Sequence, residues 1–369
     1  MKLKHLIACL LAGTLPFTSC IKDEAPNAEA DILSCMVPQD ILQREPTIQN
    51  NSVTILVKPY ADITHQAPEF TLTEGATIEP ASGTVLDFSS PQRYTVTSES
   101  GEWEKIYTVS FVIDDLPTYY TFQDTLVTEQ SQGRYFVFSM QSEQGLPVEW
   151  ASGNPGFSLT GVAKTAYDYP TVQDENGYIG KCAKLITRDT GSFGSQFGMP
   201  IAAGNLFMGS FNLATALTDA LKSTRFGYPF YYKPISLSGY YKFTAGSTFY
   251  SQGQEVPGRK DIFNIYAMFY EMDKDGTALD GYFKANGYTA PNLVALALID
   301  NPQETTQWTR FEIPFRYDYG KEIDLQRLKE GGYNIAIVFS SSIDGDVFDG
   351  APGSTLWLDE VTLSYETLK

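Results

Sequence analysis

The sequence predicts an all-β protein: a small β-sandwich followed by a larger, jelly-roll-like one. Three observations carry that prediction. The chain holds 23 Tyr and 23 Phe against only 19% charged residues, and both aromatics favour strands. Short runs of alternating apolar and polar residues recur along its length, separated by Gly, Pro and Ser. Only two short stretches show helical spacing. A length of 369 residues suits two domains.

Taken in order, Met1–Phe17 is a targeting segment and no part of the fold. Lys2 and Lys4 form a basic start, and Leu6 to Phe17 is apolar but too short to span a bilayer. "FTSC" at 17–20 resembles the end of a bacterial lipoprotein signal, in which Cys20 becomes the lipidated first residue. "IKDEAPNAEAD" behind it resembles the surface-export signal of Bacteroidetes lipoproteins. The expected divisions are a signal peptide over 1–19, a tether over 20–29, a small β-sandwich over 30–115 and the large one over 117–369. The expected location is the outer membrane, lipid-anchored and exposed at the cell surface.

In the small unit, "SVTILVKP" alternates, "APEFTLTEGATIEPASGTVLDFS" reads strand–turn–strand, and Ser100-Gly101 closes a hairpin. In the large unit "RYFVFSM", "LSGYYKFTAG", "DIFNIYAMFYEM", "PNLVALALID", "WTRFEIPFRY" and "YNIAIVFSSS" all read as strands. The helical stretches are 212–223, with Leu213, Leu217 and Leu221 four apart, and 324–332, stopped by Gly331-Gly332.

Several function classes fall away. A net charge of −18, −20 once Lys2 and Lys4 leave, argues against nucleic acid and anionic membranes. It also disfavours acidic polysaccharides unless a local basic patch exists, so a neutral glycan is the better partner. His65 is the only histidine beyond the signal, which excludes a His-based metal site and disfavours Ser-His-Asp chemistry. Cys35 and Cys182 read as buried free thiols. No P-loop, GxGxxG after a strand, or GxSxG is present, and no cofactor is required.

Candidate sites come from two patterns. Aromatics beside loops suit the apolar faces of sugar rings: Trp150, then Tyr167 and Tyr169 around Asp168, then Tyr228, Tyr231 and Tyr232 beside Arg225. Trp308 and Trp357 read as core. The second pattern is acids on apolar strand faces. Alternation puts Asp124 with Tyr120 and Phe122, and Asp359 with Trp357, Val361 and Leu363. If the first and last strands are neighbours, the two aspartates meet, with a structural calcium ion or with backbone donors alone to offset their repulsion. A β-bulge would reverse the facing. The acids of 344–349 and 273–280 read as turns. Catalytic residues are expected to be none. Glu149, Asp168, Asp261, Glu271 and Glu312 are acids a glycoside hydrolase would draw on, and no spacing pairs any two of them.

The blocks "FQDT…VEWASGNPGF", "ATALTDALKSTRFGYPFYYKPISLSGYYKFTAG", "DIFNIYAMFYEMDKDGTALDG", "NLVALALIDNPQETTQWTRFEIPF" and "SSSIDGDVFDGAPGSTLWLDEVTLSYE" together resemble the putative carbohydrate metabolism domain of Bacteroidetes lipoproteins. The stretch 75–111 resembles the immunoglobulin-like (Ig-like) accessory domains of surface proteins from the same group. The resemblance implies a jelly roll like those of carbohydrate-binding modules, and no catalytic residues to carry over. The expected function is non-catalytic glycan binding at the cell surface. The alternatives are a surface glycoside hydrolase with paired carboxylates, and an adhesion or envelope-assembly protein.

Overall fold

The computed structural model describes residues 26–368, except 44, 114, 129–133, 143–146 and 274–275. Cys20 and residues 1–19, the expected signal segment, lie outside the described residues. The chain divides into two compact units. The first comprises residues up to 38 with 45–55 and 62–111, the second 112 onward with 39–44 and 56–61.

The first unit is all β. A five-stranded sheet runs in the order Thr47–Gln49, Ser52–Val57, Glu104–Ile113, Gln92–Thr97, Thr77–Glu79, and Ile32–Met36 pairs separately with Glu69–Leu72. Alternation decides its inner face: Val53, Ile55, Tyr94, Val96, Tyr107 and Val109 are all buried. Asp31 accepts from Lys105 Nζ at 2.5 Å and Tyr107 Oη at 2.9 Å. Trp103 sits exposed at the Gln92–Thr97/Glu104–Ile113 hairpin.

The second unit places two antiparallel sheets around one core. The first sheet orders Thr171–Asp174, Cys182–Ile186, Thr355–Glu366, Lys233–Thr244 and Thr305–Pro314, with Tyr119–Tyr120 on the far half of Thr355–Glu366. The second runs Leu293–Leu298, Asn264–Glu271, Tyr333–Ser340, Asn205–Phe211, Pro147–Ala151, Phe136–Gln141, Thr125–Val127. Its central strands are buried on both faces, which explains their near-continuous apolar runs. The all-β expectation holds, and the first and last strands of this unit are indeed neighbours.

Two readings need correction. Residues 212–223 form two single 3-10 turns, Leu213–Thr215 and Ala220–Ser223. Asn212 and Asp219 each cap the following turn with a side-chain oxygen, and such local bonding competes with a continuous helix. The second correction concerns the last strand. Across from Lys233–Thr244 the register shifts between Ser238 and Tyr240, so that Gly239 faces an extra residue, and Glu360 adopts a φ of +52°. This bulge reverses the alternation. Leu356, Leu358, Val361 and Leu363 all point into the core, each contributing roughly 1.5–3 kcal/mol of burial, and Trp357 points outward.

Candidate functional site

The outer face of the six-stranded sheet carries an alternating row of lysines and tryptophans. Lys184 lies opposite Trp357, and Trp357 opposite Lys242. Trp308 completes the row on the adjoining strand, where its neighbour Thr309 pairs with Tyr241. Lys184 Nζ stands 5.4 Å from the Trp357 ring centre. Lys242 Nζ lies between the two indoles, 5.1 Å from Trp357 and 4.6 Å from Trp308. All four side chains are half-buried, so each presents part of its surface to solvent. The expectation that Trp308 and Trp357 belong to the core is therefore wrong. Trp308 shares its face with Arg310 and Glu312, and Phe311 and Ile313 take the inner face. That alternation could have located it from sequence. Trp357 was hidden by the bulge.

Asp174 organises one end of the row. It accepts from Trp357 Nε1 at 3.2 Å and Lys184 Nζ at 3.0 Å. Burial works against its charge, but the Asn176 amide, Lys184 and the indole outweigh it and hold its pKa at about 2.

The other end is aromatic. Tyr240 stacks on Tyr178 with ring centres 3.8 Å apart and planes 11° off parallel, and Tyr178 meets Trp308 edge-on at 6.2 Å. Tyr178 comes from the loop 175–181, which lies over Asp359. Asp359 is fully buried beneath it, accepting from Ile179 N at 2.9 Å and from Glu360 N at 2.9 Å. Burial pushes its pKa up to about 6, against the pull of those amides. Gln123 fastens the same loop from the opposite side. Its Nε2 donates to Ile179 O and Lys181 O, and its Oε1 accepts from Lys181 N at 3.0 Å. Close approach requires glycine here: a Cβ on Gly177 would stand 2.7 Å from Asp359 Oδ2, and one on Gly180 2.5 Å from Gln123 Oε1.

The expected Asp124–Asp359 pair does not form. The chain turns at Phe122, where φ is +54°, and leaves the six-stranded sheet for the other one. Asp124 is exposed at the entry to Thr125–Val127. Amide hydrogens meet both Asp359 oxygens, where calcium needs six to eight oxygen ligands. Among the described residues no group of three or more His, Cys, Asp or Glu is arranged to hold a metal.

The loop aromatics do not share one cleft. Trp150 is buried in the main core, packed on Tyr120, Phe122 and Phe339. Tyr169 is buried between Tyr135 and Phe157. Tyr167 is exposed and edge-on to Phe136, and Asp168 caps its own turn through Thr165 N at 2.7 Å. Tyr231 is buried, and Tyr232 donates to Asp115 at 2.5 Å. Tyr228 is half-buried and reaches Glu149 O, next to Trp150, at 2.9 Å. Arg225 is exposed. These rings mostly cover cores, as bulky aromatics in a sandwich do.

A separate cavity of about 190 Å³ lies on the outer side of the larger sheet, walled by Phe157, Phe193, Phe207, Leu221, Tyr266 and Val338. Asn264, Lys284 and Asp346 add polar groups, with Lys284 Nζ 2.6 Å from Asp346 and 3.4 Å from Asp344. The Asn264 and Asp346 side chains each keep one buried oxygen without a partner. Its walls are more apolar than a sugar requires.

Of the remaining hydrolase candidates, Glu149 is exposed on Pro147–Ala151, and the others are in structural use. Glu271 pairs with Lys321 at 2.6 Å and Glu312 with Arg310 at 2.8 Å. Asp261, fully buried with its pKa raised by that burial, accepts from Ser342, Ser354, Ala351 and Ile262. Cys35 and Cys182 are buried free thiols, as expected.

Comparison with known proteins adds two domain matches. The family model of the putative carbohydrate metabolism domain matches residues 121–364, and that of the N-terminal domain of surface glycan-binding proteins (SGBP) matches 33–110. The crystal structure of a putative glycoside hydrolase from Bacteroides thetaiotaomicron VPI-5482 is 52% identical, covering 94% of this chain and 100% of that one, with a TM-score of 0.68. Another putative glycoside hydrolase, from Bacteroides vulgatus ATCC 8482, is 50% identical over 69% of this chain and 100% of its own, with a TM-score of 0.66. No curated protein matches.

Proposed function

We propose, because the chain belongs to the putative carbohydrate metabolism domain family, that it is a surface glycan-binding protein that holds its ligand without cleaving it. The carrying observation is the Trp357–Lys242–Trp308 row with Tyr240 and Tyr178 beside it. Indole and phenol rings offer flat apolar surface to pyranose C–H groups. The lysines and Asp174 supply donors and an acceptor for hydroxyls at the ring edge. The SGBP match of the first unit supports glycan binding and association with the cell surface. Lipid on Cys20 would supply the anchor at the outer membrane.

The hydrolase reading is favoured by the names of the two similar crystal structures. It needs a proton donor of raised pKa facing a second carboxylate across a cleft. Of the described aspartates with raised pKa, Asp359 and Asp261 are buried and bonded to backbone amides or hydroxyls, and half-buried Asp280 accepts from Tyr282 N at 2.9 Å, away from the aromatic row. That chemistry speaks for binding.

The test is affinity electrophoresis of residues 21–369 through gels containing a panel of polysaccharides, with a parallel assay for new reducing ends. We expect retardation without products, and loss of most retardation in Trp308→Ala. Reducing ends that accumulate with time would replace this reading with hydrolysis. Absence of retardation on every glycan would point to a protein partner.

A further inference from the structure

Resting on that reading, we infer that the ligand is an anionic glycan, one bearing uronate carboxylates, and that Lys242 is the residue that selects it. The other cations near this face each have a carboxylate of their own. Lys184 pairs with Asp174 at 3.0 Å, Lys181 with Glu175 at 3.3 Å, and Arg310 with Glu312 at 2.8 Å. Of these four described cations, Lys242 alone has no acid within ion-pair distance. It is held between two indole rings, 4.6 and 5.1 Å from their centres.

A lysine so placed is held by the ring quadrupoles and has donors left for a ligand. Held at Nζ by two rings, its head group loses less freedom on binding. A sugar ring laid on the Trp308 or Tyr178–Tyr240 end would bring an equatorial carboxylate within reach of Nζ, forming a charge-assisted hydrogen bond. Neutral hydroxyls would satisfy the donors but leave the charge unpaired. Lys242 is thus a single unpaired positive charge on a chain of net charge −18. The overall charge slows encounter with an anionic polymer, but at physiological salt, with a screening length of about 8 Å, distant acids contribute little at the site.

The experiment measures retardation of the mature chain at about 0.15 M salt in gels containing polygalacturonate or alginate, beside neutral galactan, arabinan, xylan and glucomannan. We expect retardation by a uronate polymer, weakened about tenfold or more in Lys242→Met and largely kept in Lys242→Arg. Lys184→Met, whose charge Asp174 already balances, should weaken it less. Thermal melting of each variant reports whether it is folded, and the wild-type comparison of uronate with neutral polymers stands without any variant. Retardation by neutral glycans alone overturns this inference and leaves glycan binding in place. Uronate retardation unchanged in a folded Lys242→Met overturns the role of Lys242. Failure to bind any polymer overturns both the inference and the reading beneath it.

Discussion

Asp359 shows how much a single side chain can settle. Alternation placed it on an apolar face, and burial did follow, but beneath a loop on the outer side of the sheet instead of in the core. It anchors the backbone of Ile179 and so positions Tyr178 on Tyr240. Its titration has a definite sign. The folded-state pKa, about 6, lies above the ordinary value of 3.8. The stabilisation from the protonated form is therefore complete below about pH 4 and is lost as pH rises through 6. The loss amounts to at most roughly 3 kcal/mol. Asp174 has the opposite sign: with its pKa held at about 2, it stabilises above pH 4 and ceases to do so only in strong acid. Stability curves of wild type and Asp359→Asn between pH 4 and 7 check this, and the variant should lack the decline assigned to Asp359. A decline of equal size in both would remove Asp359 as its cause. Because amides meet this carboxylate, EDTA should leave the melting temperature unchanged. A clear fall would show a stabilising metal bound at some other set of ligands.

The Thr355–Glu366 strand and the 175–181 loop are the elements on which the site depends. One extra residue in the strand sends Trp357 outward while keeping four aliphatic side chains inward. Glu360 bears the cost of the bulge with its left-handed φ, which only glycine adopts without strain. Glu360→Gly should therefore stay within about 1 kcal/mol of wild type, having traded strain relief against the bond from Tyr119. Glu360→Val should lose roughly 2–3 kcal/mol, since a β-branched residue is the least tolerant of that conformation. Chemical denaturation of the two variants decides the matter, and equal losses would show that backbone conformation at this position is not what matters. The strands themselves were legible because period-2 patterning is local. The bulge was not, because it depends on Gly239 lying across from Val361 on a neighbouring strand. The same limit hid the tyrosine pair, as Tyr178 reaches Tyr240 only through the anchoring of a loop from elsewhere in the chain.

At the scale of the molecule, composition foretold the class better than the site. Tyrosine and phenylalanine abundance announced strands and a ring-bearing surface, yet the loop aromatics chosen for that surface mostly fill interiors. Trp150 is the clearest case, buried between the sheets although it precedes a Gly/Pro-rich turn. The overall charge argued for a neutral ligand, but charge summed over a chain says nothing about one face. The adjacency of first and last strands has a mechanical side. Tyr119–Tyr120 is two residues long and lies antiparallel to Val361–Thr362, with Leu363 N donating to Thr118 O. Tension arriving along the chain from its N-terminal side would break those few bonds one after another, as a zipper opens, instead of shearing them together. The next fastening it meets is Gln123, which grips the loop carrying Tyr178. A pull on the chain ahead of Thr118 is thereby delivered to the edge of the aromatic face, so the seating of Tyr178 and load on the chain are mechanically connected.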